Sequence, residues 1–203
     1  MLFKSIIAQM ATHVPLCVIQ SPKKILALGE IIDQTLLTEL YRHKEIEHIT
    51  ILSLREATFD TDRAVIWKSG SFGANMESLD GGFDAIIDLR AQKPNNDEAR
   101  SLLANLAAEG ILIKAFGTIE REFLKAYASC RYVIPYGFST VAPFDGIVNG
   151  FVFASKKRHP VADLLLQKAD MLEGVSYYSA DTHNAAFAIP PYILARFDEL
   201  IKN

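Results

Sequence analysis

Cysteine is scarce: Cys17 and Cys130 are the only two in 203 residues, far apart and in no CxxC arrangement. That excludes a disulfide framework and a thiolate metal cluster. Apolar neighbours make each read as a small buried hydrophobe, as suits a reducing, cytoplasmic compartment. An excess of one charge is also missing, since 21 Lys and Arg oppose 24 Asp and Glu for a net charge of -3. The chain offers no basic face to a nucleic-acid backbone and no polybasic patch to a membrane. Nowhere do about 18 apolar residues follow one another. Gln9 and His13 interrupt the opening apolar stretch and no small-x-small site follows it, so it does not read as a secretory leader. Internal repeats, low-complexity tracts and Pro/Gly/Ser-rich linkers are absent as well, so residues 1–203 are expected to form one domain with a sizeable core.

What is present is a regular alternation of apolar runs with amphipathic stretches, the pattern of βαβ units around a mostly parallel sheet. Phe3, Ile6, Ile7, Met10 and Val14 fall at helical spacing, and Pro15 ends that helix. Lys24 to Leu28, between Pro22 and Gly29, reads as a buried strand. Asp33 caps a helix reaching His43, with Leu36, Leu37 and Leu40 on one face. Further strands are expected at Ile49–Leu54, Ala64–Trp67, Phe83–Leu89 and Ile111–Phe116, with helices at Asp97–Ala108, capped by Asn96, and Thr118–Ser129. Tyr132–Tyr136 and Gly150–Ser155 follow with only a loop between them, and strands joined in that way pair antiparallel.

The expected fold is therefore α/β, a Rossmann-like doubly wound sheet of the class I methyltransferase type, mostly parallel with a terminal antiparallel strand. Ligands of such sheets lie beyond the carboxyl ends of the strands, here the loops after Leu28, Leu54, Trp67 and Leu89.

Three stretches resemble one family. Tyr177-Tyr178-Ser179-Ala180-Asp181-Thr182-His183-Asn184-Ala185-Ala186-Phe187-Ala188-Ile189-Pro190 is similar to the YYxxxxHRAAFxLP tail of spermidine synthases, with Asn184 in place of Arg. Pro143-Phe144-Asp145-Gly146, with Gly150 to Lys156 after it, is similar to their PTYPSG…GFxxxSK segment. His13-Val14-Pro15-Leu16-Cys17 and Pro22-Lys23-Lys24-Ile25-Leu26 are similar to their LPL…NPKKVL approach to the first strand. The resemblance implies an aminopropyltransferase moving an aminopropyl group from decarboxylated S-adenosylmethionine to putrescine or a related amine, with release of methylthioadenosine. It further implies a small-molecule polyamine and a nucleoside as partners, and a homo-oligomer.

Carried onto this sequence, the resemblance makes Asp88 the base for the attacking amine. Gly29, Asp33, Ser53, Ser69 and Gly70 become the donor-binding positions, and Phe144 and Asp145 the substrate-binding ones. The family's GGGDGG loop reads Gly29-Glu30-Ile31-Ile32-Asp33-Gln34 here, and Ser53-Leu54-Arg55 stands where an acid usually holds the ribose. The aspartate-rich DSxDP loop is reduced to Asp88-Leu89-Arg90, and the Tyr-Gln pair before the first strand falls on Ile7-Ala8. The family's small N-terminal β domain has no counterpart within these 203 residues, so that if this is the native length the site is expected to lack one wall. These departures keep a second reading open, a catalytically silent binding or partner subunit; the shared fold adds a third, a methyltransferase using ordinary S-adenosylmethionine, against which the missing ribose acid counts equally.

Plainer roles stand beside the functional ones. Asp33 is a helix cap, Gly29 a turn, and Asp88 an acid at a strand end. His183, with no Cys or second His at metal spacing, is expected to be a hydrogen-bonded structural histidine, and no metal is expected. Tyr132, Tyr136, Phe138, Phe144, Phe151 and Phe153 are expected in the core or at a subunit interface.

Overall fold

A computed structural model describes residues 2–30, 32–54, 64–69, 72–92, 95–137 and 148–203. Seven strands form one sheet: β1 (Lys24–Gly29), β2 (His48–Ser53), β3 (Ala64–Ser69), β4 (Phe83–Asp88), β5 (Leu106–Thr118), β6 (Tyr132–Gly137) and β7 (Val148–Ser155). Their order is β3-β2-β1-β4-β5-β7-β6, parallel from β3 to β5, with β7 antiparallel to both β5 and β6. This is the doubly wound sheet with an antiparallel end that the sequence pattern implies. The chain order reverses between β1 and β4, which is where such sheets bind their ligands.

Alternate residues of each strand feed two cores. Ile25, Ala27, Ile51, Ile87, Ile113 and Phe153 pack under α1 (Leu2–Leu16) and α2 (Gln34–Tyr41). Leu26, Leu28, Ile86, Leu112 and Val152 face the other way, toward α4 (Asn96–Ala104), α5 (Arg121–Lys125) and α8 (Pro191–Phe197). Burial on both faces is why these strands read as continuous apolar runs rather than alternating ones.

Three helices are shorter than their periodicity predicts: α2 stops at Tyr41 rather than His43, and two others fall shorter still. α4 is capped by Asn95, whose side chain accepts from the Glu98 amide at 2.8 Å, and ends at Ala104 because Leu106 already pairs with Phe83. The register slips between Phe83 and Ala85, and Gly110 fills the bulge, where a Cβ would lie 2.6 Å from the Phe83 carbonyl oxygen. Thr118 is the last residue of β5, paired with Val148, so α5 starts only at Arg121. A short helix absent from the sequence reading, α3 (Phe72–Glu77), follows β3.

The tail after β7 forms α6 (Leu166–Asp170), α7 (Ala180–Ala186) and α8, and α1 pins it. Buried Gln9 accepts hydrogen bonds at Oε1 from the Ser176, Tyr177 and Tyr178 amides at 3.2, 2.9 and 3.0 Å. Its Nε2 donates to Ser5 and Ser176. His183 has the structural role foreseen: Nε2–H donates to the Pro160 carbonyl and Nδ1 accepts from the Tyr178 hydroxyl, both at 2.9 Å. Burial pulls its pKa down to about 4, against the Pro160 bond, so its contribution to stability is complete above the ordinary 6.5 and is lost as pH falls toward 4. Cys17 and Cys130 are free and buried, and burial pushes both thiols up to about 11. Tyr136, Phe151 and Phe153 are core residues and Tyr132 is half-buried, while Phe138 and Phe144 lie outside the described residues.

Replacing Gln9 with Ala strips an acceptor from three backbone amides at once. The Gln9→Ala protein is expected to lose about 2–3 kcal/mol in urea unfolding without a change of fold.

Candidate active site

The parallel register aligns the carboxyl ends of the strands. Gly29 pairs with Ser53, Ser53 with Ser69, Leu28 with Asp88, and Asp88 with Lys114. Gly29, Ser53, Ser69 and Asp88 thus share one edge of the sheet. Asp33 stands just beyond, at the N-terminus of α2, where its side chain accepts from the Thr35 amide at 3.0 Å. The Ser53 hydroxyl donates to the Glu30 carbonyl at 3.2 Å, tying the β1 and β2 loops together. Gly70, Phe144 and Asp145 lie outside the described residues.

Asp88 is fully buried and surrounded by cations. Its Oδ1 accepts from the Arg90 amide at 3.0 Å and from Arg90 Nε at 2.9 Å, and Oδ2 accepts from Arg90 Nη2 at 2.6 Å. Lys114 Nζ, also fully buried, lies 3.5 Å from Oδ1 and donates to the Arg90 carbonyl. Arg90 reaches on to Glu98 through Nη1, and its guanidinium packs 4.6 Å from the centre of the Phe72 ring. Burial works against a charged Arg90, but Asp88 and then Glu98 outweigh it and raise its pKa. For Lys114 burial wins: the pKa falls despite the pull of Asp88, helped by the nearby Arg90 charge. The carboxylate marked out in the sequence as an amine's base is held, in this arrangement, by the protein's own guanidinium and ammonium groups.

Open space at this edge lies beside that cluster. A cavity of about 320 Å³ between α1 and the ends of β1 and β4 is lined by Lys4, Ile7, Ala8, Glu30, Ile32, Asp33, Leu36 and Leu89. Ile32 is buried in its wall and leaves the space open. Three charged groups border the cavity's apolar wall: Glu30, whose Oε1 accepts from the Ala91 amide at 3.1 Å, and Asp33, which lies 3.5 Å from the third, Lys4 Nζ. A larger cavity, about 720 Å³, sits at the far end of α2, away from the carboxyl ends of the strands. Among the described residues no group of three His, Cys, Asp or Glu is placed to hold a metal ion, and no helix is long and apolar enough to cross a membrane.

Sequence reasoning missed Lys114 and Glu30. Lys114 was visible as the one charge inside Ile111-Leu112-Ile113-Lys114-Ala115-Phe116, and a buried cation needs an anion near it. Glu30 carried no signal, since its role depends on where the turn after β1 points.

If the Asp88 carboxylate holds the two buried cations in place, Asp88→Asn, which keeps the shape and removes the charge, costs about 3–5 kcal/mol in urea unfolding at neutral pH. A change within about 0.5 kcal/mol would mark Asp88 as an acid free to serve a ligand instead.

No family model matches the chain. Among curated proteins it is similar to the polyamine aminopropyltransferase of Helicobacter acinonychis, 31% identical over 126 residues that make up 60% of this chain and 47% of that protein. It is also similar to the spermidine synthase of Coffea arabica, 25% identical over 222 residues covering 91% of this chain and 69% of that one. The chain spans about half the length of the Helicobacter relatives it matches. In fold it resembles the crystal structure of spermidine synthase from Thermotoga maritima, with a TM-score of 0.79 at 21% identity over 97% of this chain and 75% of that one. A more distant likeness is human methyltransferase-like protein 13 in complex with SAH, with a TM-score of 0.55 at 14% identity over 95% and 97% of the two chains. The chain is thus similar in sequence to aminopropyltransferases over part of their length, and similar in fold to spermidine synthase.

Proposed function

We propose that the protein is an aminopropyltransferase of the spermidine synthase type, working in the slot between α1 and the ends of β1 and β4. The observation that carries this reading is the pairing of the Glu30 and Asp33 carboxylates with the apolar wall of Ile7, Ala8, Ile32, Leu36 and Leu89. Carboxylates hold ammonium groups and the wall takes methylenes, so the slot suits a short aliphatic amine. Putrescine or a related amine is the acceptor in this reading, and decarboxylated S-adenosylmethionine the donor. Gly29, Ser53, Ser69 and Gly70 border the nucleoside, Asp33 stands where the nucleoside side meets the amine, and Phe144 and Asp145 belong to the acceptor side.

The reaction is an in-line displacement. The neutral amine nitrogen attacks the aminopropyl carbon bonded to the sulfonium sulfur, a C–N bond forms and the C–S bond breaks. The bonding pair stays on sulfur, which leaves as the neutral thioether methylthioadenosine. The amine nitrogen then gives up a proton. Holding both reactants side by side at the slot supplies most of the rate, because it replaces a chance encounter by a fixed approach. Asp88 could accept that proton only on releasing Arg90, so its role here is to fix the floor of the site; one of Glu30 and Asp33 borders the reacting nitrogen and takes its proton, while the other holds the acceptor's distal ammonium.

A second reading, a catalytically silent binding or partner subunit, is favoured by one observation: the carboxylate of Asp88 is already saturated by Arg90 and Lys114. Binding and turnover separate the two. A donor or methylthioadenosine at about 100 times its Kd adds roughly 2.7 kcal/mol to the folded state, a rise in Tm of roughly 5–10 °C for a chain of this size. Such a shift together with formation of spermidine from putrescine establishes the transferase. A shift without product points to the silent subunit, and no shift at millimolar ligand removes the nucleoside site altogether.

Within the transferase reading, Asp33→Asn is the informative variant, because Asn caps a helix as well as Asp does while the charge disappears. It is expected to lower kcat/KM for the amine about tenfold, a loss of about 1.4 kcal/mol in transition-state binding, with unchanged Tm.

A further inference from the structure

α1 and α2 lie side by side, and a second polar array joins them at the end away from the slot. Glu39 Oε2 lies 3.0 Å from His13 Nε2, and His13 Nδ1 lies 2.9 Å from His43 Nε2. All three residues are buried, none more than 4% exposed. Arg42 Nε donates to the same Glu39 oxygen at 2.6 Å. An ionised Glu39 accepts only, so His13 carries its proton on Nε2 and His13 Nδ1 accepts from Nε2–H of His43. At neutral pH the array thus contains two neutral imidazoles and a Glu39–Arg42 pair, with no net buried charge.

We propose that this array is an acid-sensitive latch between α1 and α2, and that His43 leaves it for the adjoining cavity when the array takes up a proton. The groups facing the two rings decide the direction. Glu39 favours an imidazolium at His13. Arg42 opposes one at either ring, and Tyr178, packed 5.0 Å from the His13 ring, brings no charge. Lys168 and Glu45 pair with each other at 3.4 Å near the base of the cavity, and Lys44 adds a further positive charge on its rim. One added proton therefore leaves a net positive charge in a space closed to water. Burial is what chiefly lowers the His13 pKa, ahead of the opposing Glu39 bond. The Glu39 carboxyl, although burial raises it, is held below its ordinary range by His13 and Arg42 and stays ionised. Both shifts have one sign but different windows: the contribution of His13 is complete above its ordinary 6.5 and drains away as pH falls below it, whereas that of Glu39 is lost only below its ordinary 4.5.

An exit is at hand. His43 lines the cavity of about 720 Å³, whose wall also includes Leu164, Leu165, Leu172 and the exposed Leu166 and Met171. Turning into that space hydrates an imidazolium without unfolding the sheet. It also removes the cross-helix bond, and the freed helices are the two that line the candidate slot at their other ends, through Lys4, Ile7 and Ala8 on α1 and Asp33 and Leu36 on α2.

Amide hydrogen exchange at pH about 7.5 and about 5.5, corrected for intrinsic rates, tests this directly on the intact protein. The expected result is a roughly tenfold loss of protection over residues 36–43 on acidification, for about one added proton. In His43→Gln, whose amide can donate to His13 Nδ1, that loss is expected to vanish, while any acid response of the tail around His183 remains. Imidazole ¹⁵N spectra of the wild type supply a readout that needs no variant: both His13 and His43 should carry Nε2–H at the higher pH, and His43 should be the ring that becomes imidazolium. Unchanged protection in the wild type, an equal loss in His43→Gln, or His43 remaining neutral at the lower pH would each overturn the latch.

Discussion

The buried ionic cluster at the ends of β4 and β5 constrains everything around the candidate site. Asp88, Arg90 and Lys114 are held together because each is otherwise too costly to bury: an unpaired charge taken from water loses several kcal/mol, and only mutual contact with well-placed donors recovers it. Once the cluster exists, Arg90 must fold back over its own strand end, and Phe72 and Glu98 are drawn in to cover it. The loop after β4 is thereby committed to internal contacts, and the space open to a ligand shifts toward β1 and α1.

That shift shows how a chain can share a fold with other proteins while its site is furnished differently. In a doubly wound sheet, position is set by strand register and chemistry by the few residues that follow each strand. Here the strand ends align along the sheet edge, whereas the residues beyond them differ from the pattern the resemblance implies: an internal cation pair where acids are expected, and carboxylates from the β1 turn bordering the slot instead. The likeness to aminopropyltransferases therefore carries much further for architecture than for the placement of individual charges.

Most of the architecture was legible in the residues. The runs Lys24–Leu28 and Phe83–Leu89 became strands within a residue of their expected limits, because burial on both faces leaves an unbroken apolar signature. Asp33 was recognisable as a cap from its place ahead of Leu36, Leu37 and Leu40. What could not be read was anything decided by a partner distant in sequence. The helix after Asn95 stops early because Leu106 finds Phe83, and its 3.6-residue period contains no hint of that strand pairing. Asp88 looked like a solvent-facing acid because nothing local shows that Lys114, 26 residues on, lies beside it in the next strand.

Gln9 grips the backbone at residues 176–178, a contact between positions 167 to 169 residues apart. During synthesis the first helix leaves the ribosome long before the segment it must hold has been made. At about 5–20 residues per second, the apolar face carrying Met10, Ala11 and Val14 stays without part of its cover for on the order of ten seconds or more. A nascent chain in that state is a client for any factor that binds exposed helices, and it couples the yield of folded protein to the pace of translation as much as to the stability of the finished sheet.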